Sequence, residues 1–101
     1  MSTHEVTVHG HADEGFGAVA DAFATNFEHH DELGAGFSLY VDGAKRVDLW
    51  GGIADKRSGA PWTDQTLQLV FSTTKGAAAI CVAQLVQAGK LSYDDPVAKH
   101  W

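Results

Sequence analysis

Ser72 and Lys75, in the run Ser72-Thr73-Thr74-Lys75, have the types and spacing that nucleophilic catalysis needs. A serine hydroxyl is a weak nucleophile until a neighbouring base takes its proton. A spacing of three puts both side chains on one helical face, within reach of each other. The first N–H groups of a helix lack intrahelical partners, so the Ser72 backbone N–H can point at a developing oxyanion. The positive end of the helix dipole and burial both disfavour an ammonium, and a neutral lysine can accept the hydroxyl proton. The motif alone has a plain structural alternative, with Ser72 as a helix cap and Lys75 solvated in the first turn. Context favours the catalytic reading, because a lysine opening an otherwise apolar, buried helix is costly unless paired.

The elements that must position this pair follow from the pattern of apolar residues. The stretch Leu67 to Phe71 predicts a strand, and Thr73 to Ala88 a helix that is apolar nearly all round and therefore buried. Gly89 suits the C′ position of that helix, with Leu91 covering its end. Upstream, Asp13 can cap a helix with Glu14 in its first turn. Phe16, Val19, Ala20, Phe23 and Phe27 form its apolar stripe, and His29-His30 its end. Beyond Gly34 to Gly36 the period changes to two. Phe37, Leu39 and Val41 predict one strand, Val47 and Leu49 a second, and Asp42-Gly43 the hairpin turn between them. Gly51-Gly52 should end the second strand, leaving Ile53 to Thr63 as a surface loop. Residues 1–12 read as a loose polar lead-in with Gly10 as a breaker, and residues 13–101 as the folded part. Asp94 or Asp95 with Pro96 reads as the start of a further helix. The chain thus stops at Trp101 as a helix begins and leaves apolar sheet surface uncovered, which predicts truncation.

Other residues with chemical potential also have plainer roles. His9 and His11 share one strand face, and His29-His30 lies beside Asp31 and Glu32, which raises a metal-binding module as an alternative function. No long-range ligand set is visible, so solvated histidines are the preferred reading and no metal is expected. Cys81 sits mid-helix, away from any activating charge, and reads as core packing. Trp50 and Trp62 are equally explained as pocket lining or as anchors of a strand end and a loop. Asp94 and Asp95 read as caps, not as an acid–base pair.

Apolar residues make up 45% of the 101, an ordinary share for one small globular domain. The formal net charge of −6, with no Lys/Arg cluster, argues against nucleic acid and anionic membranes as partners. A single cysteine forbids an intrachain disulfide. The start Met1-Ser2-Thr3-His4-Glu5 lacks the basic and apolar regions of a secretory signal, which predicts a cytoplasmic protein.

The run Thr66 to Gly76, the Ala-rich helix and Leu91-Ser92-Tyr93-Asp94-Asp95-Pro96-Val97 together resemble the β-lactamase-related serine hydrolases. That family includes class C β-lactamases, D-alanyl-D-alanine peptidases and related esterases. The hairpin from Gly36 to Gly52 and the helix before it fit as well, so the resemblance covers about residues 14–101. It implies part of an α/β (α+β) serine β-lactamase and transpeptidase-like fold. It also implies Ser72 as nucleophile, Lys75 as its base, no cofactor, and a small-molecule ester or amide substrate. An ester is favoured, since peptidoglycan and its antibiotics are met outside the cytoplasm. The family's Tyr-x-Asn (or Ser-x-Asn) element and its later Lys/His-x-Gly strand are absent from the sequence. Little or no turnover is therefore expected from this chain alone, and a non-catalytic gene fragment is the remaining alternative.

Overall fold

The computed structural model describes residues 5–101, which form two compact units, one up to Leu67 and the other Gln68–Trp101. The first unit contains β1 (Val8–Ala12), α1 (Gly17–His29), β2 (Gly34–Val41), β3 (Ala44–Asp55) and the short β4 (Ala60–Pro61). The sheet is antiparallel in the order β1-β3-β2, with β4 on the far end of β3. Asp42 and Gly43 make the hairpin turn with φ of 51° and 78°, the geometry that matches strand twist.

Val47 and Leu49 project from the central strand to the same face, two residues apart, and both are buried. Phe23 of α1 is buried against them, with Phe16, Val19, Ala20, Phe27, Leu39 and Val8 packed around. The rings of Phe23 and Phe27 meet edge to face at 5.4 Å. The three-four stripe of the helix and the alternation of the strand are thus two sides of one core.

Several local expectations are corrected here. The expected loose lead-in is a paired strand from Val8 to Ala12, in register with Val47 to Gly51, while residues 1–4 lie outside the described residues. Gly10 does not break that strand but permits it, because a Cβ there would lie 1.9 Å from the Asp48 carbonyl oxygen. Asp13 does not cap α1. Its N–H bonds to the Arg46 carbonyl, and its carboxylate pairs with His11 and Arg46, so Phe16 takes the cap position. With the helix starting at Gly17, Glu14 lies ahead of its first turn.

β3 does not end at Gly51-Gly52. A Cβ at Gly52, whose φ is 82°, would lie 2.2 Å from the Leu33 carbonyl oxygen, so glycine lets the strand run on to Asp55. The expected surface loop therefore contributes the end of β3 and all of β4. The expected strand from Leu67 to Phe71 is absent, because the backbone leaves the extended region at Val70 (ψ 2°) and Phe71 (φ 48°).

The second unit holds a 3₁₀ turn (Phe71–Thr73), α2 (Thr74–Gln87) and a second 3₁₀ turn (Val97–Lys99). α2 ends as expected. Gly89 at φ 74° donates to the Val86 carbonyl and Lys90 to that of Leu85, the paired bonds of a Schellman end, with Leu91 half-buried beside it. The expected burial of α2 is not met. Ile80 is 63% exposed, and no residue of the helix is buried, since the unit supplies no second layer to cover it. Asp95 accepts from the Ser92 N–H and pairs with Lys99 and His100, so Pro96, not an aspartate, holds the cap position of the last turn. No helix among the described residues is long and apolar enough to cross a membrane.

Candidate functional site

Lys75 is the second residue of α2, and Ser72 lies in the 3₁₀ turn just before it. The Lys75 Nζ donates to the Ser72 Oγ at 3.0 Å, an ordinary hydrogen-bond distance. Neither the turn nor α2 has a side-chain cap bond, so the hydroxyl is not spent on capping. The Thr73 N–H bonds to the Val70 carbonyl, and the Thr74 N–H to those of Phe71 and Ser72. Among the described residues no carbonyl accepts from the Ser72 N–H.

Both side chains are exposed, so the burial expected to keep Lys75 neutral is not present in this chain. Phe71, Ser72, Thr74, Lys75 and Ala78 line an open cleft of about 400 Å³. Ala78 is legible from sequence, lying three residues after Lys75 on the same helical face. Phe71 is not, because no sequence pattern marks a phenylalanine for positive φ.

The remaining candidates fall elsewhere. His9 stacks on Trp50 with centroids 6.4 Å apart, and His11 pairs with Asp13. His29 lies 3.7 Å from Glu28 at the end of α1. Among the described residues no three of His, Cys, Asp and Glu are grouped to hold a metal ion. Cys81 is exposed instead of packed in a core. Trp62 anchors the chain after β4, its N–H bonded to the Gly52 carbonyl and its ring over Gly36. With Trp50 it borders a second, smaller cleft of about 270 Å³ that also holds Ser38 and Asp48. Lys45 and then Ser38 hold the Asp48 carboxyl below the usual carboxylate range by hydrogen bonding, and Asp48 holds the Lys45 ammonium up in turn.

Residues 19–101 match the Beta-lactamase family. The chain belongs to that family. Among Beta-lactamase family relatives, it is 38% identical over 94 residues to the esterase/beta-lactamase LipL of Mycobacterium tuberculosis (strain ATCC 25618 / H37Rv). That alignment covers 93% of this chain and 22% of the relative. The crystal structure of a family VIII carboxylesterase superposes with a TM-score of 0.87 at 43% identity, over 94% of this chain and 26% of that one. The mixed α/β architecture with an antiparallel sheet is therefore that of the Beta-lactamase family fold. The chain spans about a quarter of the length of these two relatives.

Proposed function

We propose that this chain supplies the nucleophile and its base to a serine hydrolase that cleaves carboxylic esters through an acyl-enzyme. The observation that carries the reading is the 3.0 Å contact between Lys75 Nζ and a Ser72 hydroxyl that caps nothing. The Ser72 Oγ attacks the ester carbonyl carbon while its proton passes to the Lys75 Nζ, which serves as its base. The Ser72 N–H, at the start of the helical segment, stabilises the oxyanion. Collapse of the tetrahedral intermediate releases the alcohol, which takes up the proton, and water then hydrolyses the acyl–Ser72 bond. No metal or organic cofactor is required by these steps.

The names of the relatives, an esterase/beta-lactamase and a carboxylesterase, support ester hydrolysis over amide hydrolysis. The absence of Tyr-x-Asn and Lys/His-x-Gly from these residues supports the further reading that the 101-residue chain alone turns over little or nothing. The test is intact-mass analysis of the whole protein after exposure to a fluorophosphonate, beside Ser72→Ala. One adduct on the native protein and none on the variant is expected. An adduct that persists on Ser72→Ala refutes the nucleophile assignment. Hydrolysis of p-nitrophenyl esters faster than of a chromogenic cephalosporin separates esterase from β-lactamase.

A further inference from the structure

We infer that Phe71 is a positioning residue for Ser72, acting through its left-handed backbone turn and not through its ring. The inference rests on the reading of Ser72 as nucleophile. Among the described residues, Asp31, Asp42 and Phe71 are the non-glycine positions with positive φ, at 57°, 51° and 48°. Asp31 follows α1, and Asp42 lies in the hairpin turn, where a short polar side chain tolerates this conformation. A phenylalanine has no such compensation, because its Cβ crowds the neighbouring carbonyl.

Among the described residues, packing does not account for the strain at Phe71. Phe71 is 76% exposed, and neither the 3₁₀ turn nor α2 contains a buried residue. Strained backbone is found preferentially where a functional geometry requires it. Here Val70 has φ −109° and ψ 2°, and a left-handed residue follows it. That succession of backbone conformations tends to turn neighbouring N–H groups to one side. The Thr73 N–H then closes on the Val70 carbonyl at 3.1 Å, and the Ser72 Oγ arrives 3.0 Å from Lys75 Nζ. A residue held to negative φ at position 71 redirects Ser72 and breaks that approach.

The experiment compares Phe71→Gly and Phe71→Val in the whole protein, reading kcat, KM, the fluorophosphonate labelling rate and Tm. Glycine adopts positive φ freely, so Phe71→Gly should label at least about tenfold faster than Phe71→Val, although both lack the ring that borders the cleft, and should have the higher Tm. Valine disfavours the turn, so kcat and labelling should fall by about 10²-fold with KM little changed. If Phe71→Gly loses kcat as far as Phe71→Val does, the ring matters and the backbone role is overturned. An unchanged Phe71→Val overturns it equally. Should Phe71→Val fail to fold by circular dichroism, Phe71→Ala takes its place, labelling at least about tenfold slower than Phe71→Gly supporting the inference and equal labelling refuting it. Ser72→Ala, run alongside, keeps the two readings apart. Labelling that survives in Ser72→Ala removes the nucleophile assignment itself, whereas labelling lost there but unaffected by Phe71→Val removes only the role of Phe71.

Discussion

At the scale of single residues, the pair Ser72 and Lys75 was legible because a spacing of three on a helix dictates proximity. The structure delivers that proximity at 3.0 Å. Replacing Lys75 by Met in the whole protein is expected to slow acylation by about 10²–10⁴-fold while leaving the fold intact, as rapid-quench measurement of the acyl-enzyme would show. Normal acylation in that variant would remove Lys75 as the base. Asp13 gives the first unit a pH-dependent share of its stability. His11 and then Arg46 hydrogen-bond its carboxylate and hold it below the usual carboxylate range. A carboxyl lowered in the folded state stabilises the fold where it is ionised in both states, and that contribution is lost as pH falls through the folded value. Asp13→Asn should therefore lower Tm at neutral pH. The gap to the native chain should close on acidification below about pH 4. A gap that is constant with pH would mean the ionised carboxylate contributes nothing. The sequence offered Asp13 as a helix cap, because its partner Arg46 is remote in the chain and invisible to local reasoning.

At the scale of elements, periodicity gave the helix stripe and the hairpin, since both are local consequences of which face must leave water. It failed at Gly10, Gly51 and Gly52. Glycine reads as a stop in sequence, yet here it lets one backbone pass close to another. Gly10→Ala is thus expected to cost roughly 2 kcal/mol or more, because the new Cβ meets the Asp48 carbonyl and φ is 106°. Chemical denaturation checks this, and a loss below about 0.5 kcal/mol would show that β1 adds little to the sheet. In the core, Val47 is fully buried between α1 and the flanking strands. Val47→Ala should cost about 2 kcal/mol through lost burial and the cavity left behind.

At the scale of the whole molecule, the two units differ in what they bury. The first has Phe23, Val47 and Leu49 in a common core, whereas α2 in the second has no buried residue. A lone helix of 14 residues is marginal in water without packing. Amides of α2 in the 101-residue chain should accordingly exchange with solvent about 100-fold or more faster than those of the middle of β3, read by hydrogen-exchange mass spectrometry. Equal protection would mean that α2 is stabilised by contacts beyond its own unit.

The sequence by itself determined the residue types at the site, the extent of α2, the stripe of α1, the Asp42-Gly43 turn and the end at Gly89. Each of these depends on neighbours within a few positions. Tertiary structure decided the rest. It made a strand of Val8–Ala12, carried β3 through Gly51-Gly52 to Asp55, paired Asp13 with Arg46 and turned Phe71 left-handed. Those outcomes turn on backbone groups that are distant in the chain and meet only on folding, and on a turn whose strain no residue type announces.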